Sequence, residues 1–327
     1  TGSVMVTDPN TGAIRAMVGS HDFTDDVAGQ VNNALTYQQP GSSIKPIVYT
    51  ASLIGNQGNY LTPASILWDV PVTYDIGGGQ TYRPTNFDNH YYGPVSLRYA
   101  LQNSYNIPAV KAYVEVGNQQ FSEVAQAMGL QFAEGSQLGL ASALGANEVR
   151  LIDMMQAYGV LANGGLRTDL YAIERVTETG EGGEELEVMR NPRPEPVQVI
   201  SSQVAYLMQN ILSDDNARAQ QFGTGSNLTL ARLGLPTQNH IAAKTGTSND
   251  SRDLWTMGFS RNVVVGVWLG TYDNSPTYGT TGYNSASPVW NTTFEAALRG
   301  RTPPEFQNPG GVIAQEVCRT TGTLSYD

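Results

Sequence analysis

Strand patterns occupy both ends of this chain and helical patterns fill the stretch between them, and nothing else in the sequence limits the fold as much. Residues 2–19 form two alternating apolar runs around the turn cluster Asp8-Pro9-Asn10-Thr11-Gly12, which predicts a hairpin. Three further strand patterns follow one another at 241–247, 253–259 and 263–272, the last two joined through Ser260-Arg261-Asn262. Between the two ends, helices are predicted at 42–54, 96–101, 108–117 (ending at Gly117) and 151–162. Another starts at Ser201 or Ser202, with Val204, Leu207, Met208, Ile211 and Leu212 on one face, and a last one covers 288–298. Residues 60–95 read as irregular with short strands, and 171–190 as a surface hairpin with an acidic tip from Glu178 to Glu187. The expected fold is α+β: a central, mostly antiparallel sheet, with the first hairpin joined to the late strands and helices flanking it.

Composition narrows the function. A length of 327 residues suits one large domain with appendages or two ordinary ones. The expected division is a main domain over 1–300 and a Pro/Gly-rich tail over 301–327. A net charge of −11 with no arginine cluster argues against nucleic acid as a partner. The longest apolar run, 263–269, has strand length and cannot cross a bilayer. Thr1 opens directly into a strand pattern with no signal peptide, so the chain is expected to be cut from a longer protein, and its end at Asp327 to stop inside a longer segment. One cysteine, Cys318, leaves no intrachain disulfide. His21, His90 and His240 share no ligand spacing, so no metal is expected, and the glycine clusters 77–79 and 223–225 lack the lysine and the strand–helix context of a nucleotide loop, so no cofactor is expected either.

Three lysines are all the chain has: Lys45, Lys111 and Lys244. Ser42-Ser43-Ile44-Lys45 is the single Ser-x-x-Lys, and Pro46 pins the helix start close to Ser42 because proline lacks the N–H that deeper positions donate. Residues three apart at a helix start share a face, so the Lys45 amine can reach the Ser42 hydroxyl, the nucleophile–base contact that acyl transfer requires. A helix N-terminus also offers free N–H groups to a developing oxyanion. Acting as a neutral amine requires the Lys45 pKa to fall from ~10.4 to near 7, about 4 kcal/mol of differential interaction. Burial and a second ammonium are the available causes, and Lys244, in the strand Lys244-Thr245-Gly246-Thr247, is the candidate cation. Gly246 lets another backbone or a substrate come close to that strand. Ser104-Tyr105-Asn106, in a break between helices, offers a hydroxyl to pass a proton and an amide to hold a peptide; the second Ser-x-Asn, Ser260-Arg261-Asn262, is accounted for by its hairpin turn.

In that order, Ser42-x-x-Lys45, Ser104-x-Asn106 and Lys244-Thr245-Gly246 resemble the three motifs of the penicillin-recognising serine enzymes. The segments 39–49, 82–89, 93–110 and 253–259 are similar to transpeptidase domains of class A, bifunctional penicillin-binding proteins, and the likeness covers roughly residues 2–300. It implies a β-lactamase/transpeptidase-like fold with an all-helical subdomain, and a peptidoglycan D,D-transpeptidase. In that role Ser42 attacks the penultimate D-Ala carbonyl of a stem peptide ending in D-Ala-D-Ala, and Lys45 accepts its proton. Ser104 and the lysines pass a proton to the leaving D-Ala, and Asn106 orients the donor peptide. The backbone N–H groups of Ser42 and Thr247 form the oxyanion hole, and Thr245 and Thr247 hold the terminal carboxylate near Lys244. A β-lactam would block Ser42. The resemblance further implies a glycosyltransferase domain and a membrane anchor in the full-length protein, and an extracytoplasmic location. Tyr105 fits a penicillin-binding protein better than the Ser-Asp-Asn of class A β-lactamases. The absence of Glu-x-x-x-Asn between Ser104 and Gly165 also counts against a β-lactamase. The alternatives are a D,D-carboxypeptidase and a non-catalytic sensor of β-lactams or stem peptides.

Overall fold

The computed structural model describes residues 1–230 and 234–324. The chain begins with strands β1 (Gly2–Thr7), β2 (Ile14–Val18) and β3 (Tyr37–Gln38), then helix α1 (Lys45–Ile54). Short strands β4 (Ile66–Asp69), β5 (Tyr74–Gly77), β6 (Gln80–Tyr82) and β7 (Gly93–Ser96) lead to α2 (Leu97–Gln102) and α3 (Asn106–Ala127). After β8 (Val149–Arg150) come α4 (Leu151–Ala162), β9 (Leu166–Arg167), β10 (Arg175–Thr179), β11 (Glu185–Arg190) and β12 (Val197–Gln198). Helices α5 (Ser202–Leu212) and α6 (Asp215–Phe222) precede β13 (Ala242–Thr247), β14 (Asp253–Phe259), β15 (Val264–Gly270) and α7 (Ser287–Leu298).

The ends of the chain meet in one antiparallel sheet of order β13-β14-β15-β1-β2, with Val4 opposite Val267 and Gly2 opposite Leu269. Alternation along β15 sorts its side chains between two cores. Val265 and Val267 join Val6, Trp290, Phe294 and Leu298 beneath α7, whereas Val264 and Trp268 join the larger core under the helices. Gly258 and Gly266 let those layers close, since a Cβ at Gly258 would stand 2.3 Å from the Trp290 ring and one at Gly266 2.6 Å from the Met155 sulfur. Helix α1 is buried from Lys45 to Leu53, the mark of a helix enclosed by its neighbours. This is the α+β arrangement expected, with a helical lobe on one side of the sheet.

Two local expectations need correction. The helix expected to start at Ser42 begins as a 3₁₀ turn, Gly41–Ile44, and becomes α-helical only at Lys45, with Pro46 in its first turn. Gly41 sits at φ +52°, and a Cβ there would lie 2.3 Å from Thr247 O, so the tight turn before the helix is forced by contact with β13. The helix expected to end at Gly117 does break there, at φ 77° and ψ 164°, but re-enters helical geometry and runs to Ala127. Its second half buries Phe121, Val124 and Ala125. Within the tail, Phe306 is buried edge-on against Phe259 and its N–H donates to Asn239 O.

Candidate active site

Three segments converge on one cleft of about 560 Å³ whose lining includes Ser42, Ser104, Asn106, Thr245 and Thr247. A larger cavity of about 850 Å³ lies between α3 and α4, but its charged residues pair within it, Arg150 with Asp153 and Arg167 with Asp169. The chemistry-bearing side chains belong to the smaller cleft.

The turn carrying Ser42 is held from three sides. Trp255 Nε1 donates to Gln39 O at 2.8 Å, Tyr158 Oη donates to Ser43 O at 2.7 Å, and Ser43 Oγ donates to Pro40 O at 2.7 Å. Gly246 makes this seating possible, because a Cβ there would stand 2.3 Å from Pro40 O and 2.9 Å from Ser43 N. Ser42 itself stays partly exposed to the cleft.

Ser104 lies between α2 and α3 in the left-handed region at φ 60°, a costly conformation for a residue with a Cβ. The neighbouring Asn103 secures it: its Nδ2 donates to Tyr99 O and to Ala217 O, and its Oδ1 accepts from Gln221 N. Two lysines meet at this residue. Lys244 Nζ donates to Ser104 Oγ at 2.8 Å and to Thr245 O at 3.0 Å. Lys45 Nζ donates to Ser104 O and Asn106 Oδ1, both at 2.6 Å, and lies 3.4 Å from Ser104 Oγ. Asn106 Nδ2 donates to Thr85 O, and Asn86 Oδ1 accepts the Asn106 N–H, which fixes the amide with its oxygen toward Lys45. The direct Ser42–Lys45 hydrogen bond expected from the spacing is not formed: among the described residues Lys45 spends its N–H groups on Ser104 and Asn106. Lys111, the third lysine, lies apart and donates to Trp68 O.

Both site lysines are buried, and neither has a carboxylate ion-pair partner among the described residues. Burial, then the Lys244 charge, pushes the Lys45 pKa well below the ordinary lysine value, with Asp69 acting weakly the other way. Burial, then the Arg218 charge, brings Lys244 down to about 7. The edge position of β13 matters as well. Ser248 N donates to Asp253 O, so alternation turns the N–H of Thr247 away from β14, toward the open edge beside Ser42. Thr247 Oγ1 accepts from Gly282 N.

The cleft also contains residues that motif reading passed over: Phe87, Gln221, Phe222, Asp250 and Tyr283. Phe87 is 75% exposed, and Tyr105 is stacked on Tyr92 at 4.3 Å, so Tyr92 supports the wall from behind. Among the described residues no group of three His, Cys, Asp or Glu is placed to hold a metal.

Comparison with known proteins places this architecture. The fold is the β-lactamase-like one of penicillin-binding-protein transpeptidase domains. The crystal structure of penicillin-binding protein 1A from Haemophilus influenzae superposes with a TM-score of 0.85 at 27% identity, covering all of this chain and 52% of that one. PonA1 from Mycobacterium tuberculosis, solved in complex with penicillin V, shares the fold at a TM-score of 0.76 and 23% identity, over 95% of this chain and 81% of that one. The family model described as penicillin binding protein transpeptidase domain matches residues 2–267, and the chain belongs to that family. Penicillin-binding protein 1A of Neisseria lactamica is 32% identical over 96% of this chain, and that of Neisseria flavescens 31% identical over all of it. The chain spans only 38% and 40% of the length of those two relatives. No helix among the described residues is long and apolar enough to cross a membrane.

Proposed function

We propose that this chain is a peptidoglycan D,D-transpeptidase that works through an acyl-enzyme on Ser42 and is acylated there by β-lactams. The observation that carries the reading is the convergence of two buried lysines on Ser104 in the wall of the cleft holding Ser42. A neutral amine has two N–H groups and one lone pair. Lys45 places its two shortest hydrogen bonds on Ser104 O and Asn106 Oδ1, which leaves the lone pair for the Ser42 proton. In the first half-reaction that proton passes to Lys45 as Oγ bonds to the penultimate D-Ala carbonyl carbon. The oxyanion is met by the N–H groups of Ser42 and Thr247. The peptide C–N bond then breaks, and the departing D-Ala amine takes the Ser104 hydroxyl proton, which Lys244 replaces. In the second, an acceptor amine attacks the ester, gives up its proton to the lysine pair, and Ser42 leaves reprotonated. Thr245 and Thr247 hold the donor carboxylate near Lys244, Gly246 keeps the strand close to the Ser42 turn, and Asn106 steers the donor peptide with its remaining N–H. The action is assigned to the extracytoplasmic face, with a membrane anchor and a glycosyltransferase domain elsewhere in the parent protein.

Mass spectrometry after benzylpenicillin treatment tests this reading. One stable adduct on the peptide containing Ser42, lost in Ser42→Ala, is expected; an adduct that survives Ser42→Ala would overturn the assignment. A stem peptide supplied with an amine acceptor should yield cross-linked product, whereas release of D-Ala without cross-link would mark a carboxypeptidase.

A further inference from the structure

Helix α6 carries a side chain that the proposed chemistry leaves unused. Arg218 is 0% exposed, yet among the described residues only its Nη2 is hydrogen-bonded, to Leu212 O at 2.7 Å. Its Nε lies 3.5 Å from Asp215 Oδ1 without forming a hydrogen bond, and Nη1 has no hydrogen-bond partner among the described residues. Interiors rarely hold an arginine this poorly satisfied, since a buried charge without full pairing costs stability. Replacing it with an apolar residue would pack as well, so the charge itself calls for a reason.

The position of α6 supplies one. Asp214 caps the helix through Ala217 N and also accepts from Arg98 Nη1. Gln102 Nε2 donates to Asp214 O, and Asn103 bridges Ala217 O and Gln221 N. The helix is therefore clamped to the segment that ends in Ser104, and Arg218 follows directly on Ala217, whose carbonyl is held by Asn103, the residue before Ser104. We propose that Arg218 is a positioning residue for proton delivery: its buried charge faces Lys244 from α6 and loosens the proton that Lys244 hands to Ser104. The other groups near Lys244 do not offset it. Lys45 of α1, neutral in the proposed chemistry, brings no negative charge, Ser104 is neutral, and α5 and the turn 282–286 bring only Tyr206 and Tyr283. Asp253 of β14 is committed to Ser248 and Trp268, and Asp214 and Asp215 lie on the helix of Arg218 itself. Charge repulsion is the second cause, after burial, of the lowered Lys244 pKa.

This inference rests on the proposed acyl transfer, and the pH profile of Ser42 acylation by a fluorescent penicillin separates the two. If the parent protein is not acylated at Ser42 at any pH, the functional reading fails and the role of Arg218 falls with it. If it is acylated, Arg218→Gln is expected to move the alkaline limb up by roughly one pH unit, and Arg218→Lys to leave it in place. Asp215→Asn removes part of the compensation of Arg218 and is expected to move the same limb down, which keeps the test open should Arg218→Gln fold poorly. Lower amplitude with an unmoved limb in Arg218→Gln and Asp215→Asn alike would overturn the proposal and leave Arg218 a purely structural residue.

Discussion

The hairpin β10–β11 and the lysine pair beneath the cleft are both rich in charge, yet they treat it in opposite ways. In the hairpin nearly every side chain is exposed, and the charges pair in water: Arg190 with Glu187, Arg193 with Glu174, Arg175 with Glu185. Solvent screens such pairs, so each contributes little. Beneath the cleft, Lys45, Lys244 and Arg218 are withdrawn from water, and no bidentate carboxylate meets any of them among the described residues. Where charge is dry and paired poorly or not at all, protonation becomes adjustable and stability is lost. Where it is paired and wet, neither happens.

Substitutions can break or sharpen that contrast. The largest effect is expected for Lys45→Met, which deletes the proton acceptor: acylation by fluorescent penicillin should fall about 10³-fold or more while circular dichroism stays unchanged. An unaltered rate would remove Lys45 from the chemistry. Gly246→Ala comes next, because its Cβ collides with backbone rather than with a movable side chain. It is expected to cost about 3 kcal/mol in urea denaturation and to slow acylation on the order of 10²-fold.

Lys244→Met should instead stabilise the fold while impairing catalysis. The folded pKa of Lys244, about 7, lies below the ordinary value of 10.5, so between those limits the unfolded chain holds the extra proton. Stability of the parent protein therefore climbs as pH rises through that window. The methionine variant should be ahead by about 4 kcal/mol at pH 7 and lose most of that lead by pH ~10. A constant difference across the range would show that Lys244 keeps its proton on unfolding and refolding alike. The smallest effect belongs to the hairpin: Glu187→Gln with Arg190→Gln should leave Tm within about 2 °C and acylation unchanged, as measured by calorimetry and penicillin labelling.

The same contrast explains what could be read from the chain before its structure. Alternation in β1 and β15 is strong because each strand feeds two cores, so the pairing of the chain's ends was legible. So were the caps: Ser96 accepts from Tyr99 N and Ser201 from Val204 N. The continuation of α3 was not, since Gly117 is a genuine break and Asn118-Gln119-Gln120 after it has no apolar period; the helix resumes to bury Phe121 and Val124. Within the site, the motifs named residues that do assemble around one cleft. They did not show that Lys45 would spend its N–H groups on Ser104 and Asn106, because that depends on the left-handed turn at Ser104. Nor did they single out Arg218, a lone arginine on a polar helix whose burial arises from tertiary packing, or Phe87 and Tyr283, whose exposure at the rim has no local signature.

The turn bearing Ser42 is bolted to Trp255, Tyr158 and the backbone of β13, and it has no slack. One jaw of the cleft is thus an anvil. Any accommodation of a bulkier or differently shaped ligand has to come from the rest of the lining, at Phe87, Tyr283 and the turn Asn249–Ser251, and it is there that selection has freedom to retune what the serine meets without disturbing the serine.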